Sequence, residues 1–306
     1  MPTGTPAQKV MRTMKFGNGF VKIVLEGNNF DEAYAAAQNY AMQNKATMVP
    51  PFDNEEIIAG QGTVALEIKK QFERNFSQYG KLDAVIVPIG GGGLISGVAT
   101  YLDGTGIKVY GVEAEGAAGM HASLKAGKLV TLDNIDTTVD GMAVKTPGRI
   151  TYDIVSRLVG YENTFVIPEG AICKELIDYY HHEGDVVELA GVASIAALNY
   201  IPNLESKNVA CIISGGNMDF SRAHLIERKS LEHQKLFASL TIYMPNTPGQ
   251  GKKFFEMLDP ETNVINFNLN EGPVEAELHF QNAAAYDSLI SKLDSMKEWS
   301  YTIEKG

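Results

Sequence analysis

One stretch, DAVIVPIGGGGLISGVATYL at 83–102, leaves few folds open to this chain. Its first half is apolar at nearly every position instead of every second one. A strand written that way is buried on both faces, and such strands belong to parallel sheets covered by helices. Four glycines end the strand and an apolar helix begins. The first N–H groups of a helix have no intrahelical partner and carry the positive end of its dipole. Glycine, having no side chain, lets an anion approach those groups closely. A strand–glycine–helix junction at the carboxyl edge of a parallel sheet therefore suits a phosphate. The alternative is a flexible linker, against which stands the tight apolar bracketing by VIVPI and LISGVATYL. No lysine with a following Ser or Thr stands at P-loop spacing, and the glycines miss the dinucleotide spacing.

The same alternation runs through most of the chain. Strands are expected at 20–27, 46–53, 83–90, 108–114 and 209–215. Helices are expected at 29–44, with Asp31 as N-cap, and at 62–76, 94–102, 118–126, 149–159, 169–182, 190–201 and 218–229. Strands alternating with helices predict an α/β fold with helices on both sides of the sheet. A second glycine loop, SGGN at 214–217, closes the last of these strands and puts the Ser214 hydroxyl at the sheet edge. By itself it also reads as a simple turn with a helix cap. Beyond residue 232 the order changes to β-α-β-β-α-β, over 236–245, 251–258, 263–270, 274–281, 285–295 and 299–306. That is the ferredoxin-like order. It is open to two readings, a packing or oligomerisation appendage and a small-molecule regulatory module.

Composition removes several classes of function. The net charge is −11 without a basic cluster, which argues against nucleic acid and anionic membranes as partners. Two cysteines, Cys173 and Cys211, make neither a disulfide framework nor a metal site, and Cys211 reads as a small buried hydrophobe in a strand. No apolar run reaches the ~20 residues of a membrane span. The first ten residues, MPTGTPAQKV, have no signal-peptide core, so a reducing cytoplasmic setting is expected.

PIGGGGL, TTVDGMAVKTPG (137–148) and CIISGGN (211–217) together resemble the threonine dehydratases. FDEAYAAA, PFDNEEIIAGQGTVALEI and VVELAGVASIAAL are similar as well, so the resemblance covers about residues 1–230. It implies a fold-type II pyridoxal-phosphate enzyme with an open parallel sheet of the tryptophan synthase β kind. The expected parts are a remnant of the small lobe (1–45), a large cofactor-binding lobe (46–230) and an ACT-like α+β domain (233–306) that takes isoleucine or valine as effector. The resemblance implies that Gly90, Gly91, Gly92, Gly93 and Leu94 hold the cofactor phosphate through their amides. Ser214 would hydrogen-bond the pyridine nitrogen; a neutral hydroxyl leaves the ring a weaker electron sink than a carboxylate would. The implied reaction takes the α-proton from threonine, eliminates its hydroxyl and ends in 2-oxobutanoate and ammonia, in a homo-oligomer, dimer or tetramer. Asp140 and Gly141 lie in a stretch expected near the cofactor. Glu113 matches a cation ligand of related racemases. Gly119 stands where their second acid would be, so Glu113 reads as a solvated loop carboxylate and no metal is expected.

One element of that family's chemistry is not found. Its Schiff-base lysine sits in a motif close to S-F-K-x-R-G-A, and a companion S-x-G-N-H contacts the ring and the substrate carboxylate; neither occurs here. No catalytic residue is therefore assigned. Lys69, Lys70, Lys145 and Lys174 sit in ordinary helix and turn settings. MPTGTPAQKV matches an internal segment of the family, so the chain reads as an N-terminally truncated form, inactive alone. Two alternatives stay open: a non-catalytic fragment or subunit of a split enzyme with an effector-binding tail, and a serine dehydratase-type lyase.

Overall fold

The computed structural model describes residues 1–5, 7–28, 30–269 and 272–304. The chain forms two compact units, Met1–Pro51 and Phe52–Gly306.

The first unit holds two helices, α1 (Ala7–Gly17) and α2 (Phe30–Asn44). Asp31 falls inside α2 instead of ahead of it, and its side chain lies outside the described residues. The strands expected at 20–27 and 46–53 do not form. A strand needs a continuous partner. Residues 20–27 find only a short pairing with the chain start, where Thr3 N–H donates to the Gly27 carbonyl (2.8 Å) and Glu26 N–H to the Met1 carbonyl (2.9 Å). In the second segment Pro50 and Pro51 have no N–H to give to a ladder.

The second unit begins with α3 (Glu55–Asn75), earlier than the expected start at 62. The reason is Asn54, whose side-chain oxygen accepts from the amides of Glu56 (2.9 Å) and Ile57 (3.2 Å), while Glu55 and Glu56 complement the dipole. There follow β1 (Ala84–Pro88), α4 (Gly93–Leu102), β2 (Lys108–Ala114), α5 (Gly119–Ala126) and α6 (Arg149–Leu158). Next come β3 (Thr164–Ile167), α7 (Glu169–Glu183), α8 (Leu189–Ala196), β4 (Val209–Cys211) and α9 (Ala223–His233). The sheet is wholly parallel in the order β3-β2-β1-β4, with Ala84 opposite both Lys108 and Val209.

All five residues of β1 are buried. Ala84 and Ile86 enter one core with Val112, Ile172 and Val192, whereas Val85 and Val87 enter the other with Ala65, Ile95 and Val155. This two-sided burial is what the unbroken apolar run predicts. β3 was not foreseen, because TFVI is too short and too near a proline to stand out. β4 is three residues long where seven were expected, and on this edge strand Cys211 is half-buried, not buried.

The last segment of the unit is β5 (Phe237–Tyr243), α10 (Gln250–Met257), β6 (Asn263–Leu269), β7 (Val274–His279), α11 (Ala283–Asp294) and β8 (Ser300–Glu304). The sheet order is β6-β7-β5-β8, and every pair is antiparallel. Burial alternates along β5, so Ala238, Leu240 and Ile242 face a core with Phe254, Leu289 and Trp299. One covered face and one wet face is the usual state of an antiparallel sheet. Asn270, Glu271, Lys305 and Gly306, which fall in the segments expected at 263–270 and 299–306 and in the linker between β6 and β7, lie outside the described residues.

Candidate functional site: a glycine loop with free amides

β1 ends at Pro88, and the four glycines carry the chain into α4 at the carboxyl edge of the sheet. Gly91, Gly92 and Gly93 are buried, while Gly90 and Leu94 are half-buried. The carbonyl side of this loop is tied down. The Gly91 carbonyl accepts from the Thr151 hydroxyl (2.7 Å) and from the Gly148 amide (3.2 Å). Thr151 is itself set by the start of α6, where the Asp53 carboxylate accepts from the amides of Arg149 (3.0 Å), Ile150 (2.9 Å) and Thr151 (3.2 Å).

With the carbonyls anchored, the donors are left over. None of the main-chain N–H groups of Gly90 to Leu94 has an acceptor among the described residues. Buried amides without partners are rare in proteins. Several in succession at a helix start form a concave donor set for an anion.

The structure also shows why side chains are barred here. Gly92 has φ of +93°, and a Cβ on it would lie 2.8 Å from the Thr151 and Met120 side chains. A Cβ on Gly91 would run into the Phe52 ring. The glycines thus serve close packing against Phe52 and Thr151 as well as open amides. Asp53, Phe52 and Thr151 escaped the sequence reading: they lie far from the loop in sequence, and nothing in their spacing marks them as its supports.

β4 lies beside β1, which brings the second glycine loop to the same edge. Ser214 is exposed, and its hydroxyl donates to the Ala190 carbonyl on α8 at 3.3 Å. The stretch 137–148 borders the first loop. A Cβ on Gly90 would come within 3.4 Å of the Gly141 carbonyl oxygen and of Met142 Cα, while Asp140 itself is exposed. The Glu188 carboxylate sits between the two regions, against Gly141 on one side and Gly215 on the other. Gly90 to Leu94, Gly141 and Ser214 therefore share one edge.

Glu113 corrects the sequence reading. It is not a solvated loop carboxylate but a β2 residue at 1% exposure. Its carboxylate accepts from the amides of Met120 (2.9 Å) and His121 (2.6 Å) at the start of α5. Burial pushes its pKa up to about 8, and those two hydrogen bonds pull the other way without prevailing. Burial also raises the thiols, Cys173 to about 12 and Cys211 to about 11, which leaves both protonated and unreactive at neutral pH.

Three of the four lysines that sequence alone left in ordinary settings are occupied elsewhere. Lys145 Nζ donates to the Asp133 carbonyl at 3.0 Å, Lys69 pairs with Glu73, and Lys174 pairs with Asp178. No group of three or more His, Cys, Asp or Glu residues that could hold a metal occurs among the described residues. Nor is any described helix long and apolar enough to cross a membrane.

Comparison with known proteins agrees with this geometry. Residues 1–215 match the family described as pyridoxal-phosphate dependent enzyme. The biosynthetic L-threonine dehydratase of Corynebacterium glutamicum is 39% identical over all of this chain, which spans 72% of that protein. The Lactococcus lactis protein of the same name is 38% identical over 96% of this chain and 72% of its own length. Among solved structures, the processed form of threonine deaminase isoform 2 from Solanum lycopersicum superposes with a TM-score of 0.66 at 34% identity, over 75% of this chain and 65% of that one. A serine racemase from maize gives 0.65 at 30% identity, over 76% of this chain and 69% of that one. A parallel sheet with a glycine loop at its carboxyl edge, a match over two thirds of the chain and relatives aligned along its whole length leave one assignment: the chain belongs to the pyridoxal-phosphate-dependent enzymes of fold type II, among the biosynthetic threonine dehydratases.

Proposed function

We propose that this chain carries the phosphate- and ring-binding half of a threonine ammonia-lyase site. The observation behind this reading is the run of amides from Gly90 to Leu94, buried at Gly91 to Gly93, that have no acceptor among the described residues. These residues fit the cofactor's phosphate: the donors are present, no side chain intrudes, and Asp53 and Thr151 hold the loop so that little reorganisation is needed on binding. When bound, pyridoxal phosphate supplies an electron sink for the α-carbon of the amino acid. The chain's own residues bind and orient. Ser214, whose hydroxyl now donates to the Ala190 carbonyl, would hold the ring nitrogen, and Gly141 with its neighbours would wall the site. Threonine is the substrate the relatives' names favour; the fungal L-serine ammonia-lyase neighbour keeps a serine-specific lyase as the second reading, but at 22% identity it speaks for fold alone.

Proton transfer at carbon needs a lysine that these 306 residues do not place in the family's motif. We therefore read the chain by itself as able to bind but not to turn over. Titrating it with pyridoxal phosphate and following absorbance should show saturable binding that inorganic phosphate displaces. Borohydride treatment followed by peptide mapping should show no lysine labelled within the pocket. Unsaturable binding would end the site assignment, and a single labelled pocket lysine would end the claim of inactivity.

The segment 233–306 reads as an ACT-like module for isoleucine or valine. Its sheet order and its element order support this. Trp299, the one tryptophan, is buried there with Nε1 donating to Gln250 Oε1 at 3.2 Å. Isoleucine should shift its emission; an unchanged spectrum together with no calorimetric heat would remove the regulatory reading.

A further inference from the structure

The stretch 136–148 borders the glycine loop, yet it contains no strand and only one short 3-10 turn, Asp140–Met142. Such a segment keeps one shape only where other elements pin it. Its far end is held locally: the Lys145 carbonyl accepts from the Leu132 amide (3.0 Å), and the Thr146 hydroxyl donates to that of Thr131 (2.9 Å). In its middle Val139 and Met142 are buried in the core with Ile172 and Val192. Its near end is held by a distant helix.

That helix is α9, and it acts through two cations. Arg222, at its start, donates from Nη2 to the Thr137 carbonyl at 3.0 Å. Two helical turns on, Lys229 Nζ reaches Asp136 Oδ2 at 3.5 Å. Asp136 passes the hold inward. Its Oδ1 accepts from the Thr138 amide (2.6 Å), and its own amide donates to the Gly116 carbonyl (2.9 Å). Residues 136, 137 and 138 are thus each fixed, and three positions on the Gly141 carbonyl comes to rest against Gly90.

The Lys229–Asp136 pair differs from the other ion pairs. Lys69–Glu73, Lys174–Asp178, Arg228–Glu232 and Lys252–Glu256 each join residues one turn apart on a single helix. Lys229 and Asp136 stand 93 positions apart, and the Lys229 side chain is only 15% exposed. A covered charge is screened less by water and salt than one in the open. Burial would raise the Asp136 carboxyl, but its bonds to Thr138 and the charge of Lys229 hold it below the ordinary carboxylate value, so the pair is ionised at neutral pH. The backbone that carries Lys229 is itself close-packed on α7. A Cβ on Gly170 would lie 2.5 Å from His233 Cβ and 2.8 Å from the Lys229 carbonyl oxygen.

We propose that Lys229 and Arg222 are positioning residues for the site: from α9 they clamp residues 136–138 and so hold Gly141 and Met142 in place beside Gly90. The phosphate donors have separate supports in Thr151 and Asp53, so releasing the clamp should loosen the wall of the site and spare the glycine loop. The inference rests on the reading of that loop as the cofactor's phosphate site.

Hydrogen exchange on the full chain, with titrations of pyridoxal phosphate and of inorganic phosphate, tests it. K229M and R222M should each speed exchange at 137–142 by about 10-fold and leave 83–115 unchanged. Each should raise the Kd for pyridoxal phosphate by about 10-fold while that for inorganic phosphate stays within about 2-fold. K229R keeps a cation that can reach Asp136 and should restore both readouts. A lysine with a merely structural role would weaken both ligands alike. Unchanged exchange at 137–142 in K229M, equal weakening of the two ligands, or a K229R variant as loose as K229M would each overturn the proposal. If the unaltered protein binds neither ligand, the reading of the glycine loop fails, and exchange alone decides the clamp: acceleration confined to 137–142 and reversed in K229R upholds it, and any other pattern ends it.

Discussion

Residues 83–115 and residues 1–51 are both rich in apolar side chains and end in opposite conditions. In the first region every residue of β1 is buried, and β2 is buried except at Lys108. In the second no described residue is buried, and Phe20 stands 94% exposed, Phe16 74% and Met42 72%. The difference does not lie in composition. VIVP acquires hydrogen-bonded neighbours on both sides and a helical layer on each face. FVKIVLEG has the residues of a strand but no ladder to join. An apolar pattern states a requirement for partners, and only the rest of the fold can meet it.

The strongest way to break that comparison is hydrogen exchange. Amides of residues 1–45 should exchange at least about a thousand-fold faster than those of 83–115, as expected where two helices and their connections have no described residue fully buried. Equal protection would mean that burial does not report stability in this chain. The next effect is local. G92A forces a side chain onto a backbone at φ +93° and against Thr151, and should lower stability by about 3 kcal/mol while abolishing phosphate binding. The change G19A, at φ +83° but with open space around it, should cost about 1 kcal/mol. Urea titration of both variants reads the contrast directly.

Glu113 sharpens the comparison in another way, because it places a titrating group inside the well-packed region. Its folded pKa, about 8, lies above the ordinary 4.5. The folded state therefore keeps a proton that the unfolded state releases. The linked stability is fully present below about pH 4.5 and is lost as pH rises toward 8, at ~1.4 kcal/mol per pH unit in between. E113Q should flatten that slope, measured by urea midpoints between about pH 5 and pH 8; an unchanged slope would place the linkage on another group. The smallest expected effect is at the entry to α3. N54A removes the cap on the Glu56 and Ile57 amides and should lower stability by about 1 kcal/mol, read as a drop in melting temperature.

Much of this architecture could be read from residues in order. The run at 83–90 announced a strand buried twice, and β2 lies at the expected residues, 108–114. The helices after 90 begin within a few residues of their expected starts, and the six C-terminal elements follow the expected order. Such features rest on short-range pattern, periodicity and glycine placement, which neighbours in sequence settle among themselves. The glycine loop was equally plain as the passage from β1 into α4, and so was the second glycine loop on the neighbouring strand.

What the residues in order could not decide depends on distant partners. Whether 20–27 becomes a strand turns on a ladder that no local signal guarantees. Glu113 looked like a wet carboxylate because nothing in GVEAEG tells that β2 carries it into the sheet. Asp53 caps α6 and Thr151 anchors Gly91 across 60 to 98 positions of chain. Hydrophobic period and backbone freedom are properties of a segment. Burial, electrostatic environment and the anchoring of a loop are properties of what the folded chain brings against it, and those were decided only in three dimensions.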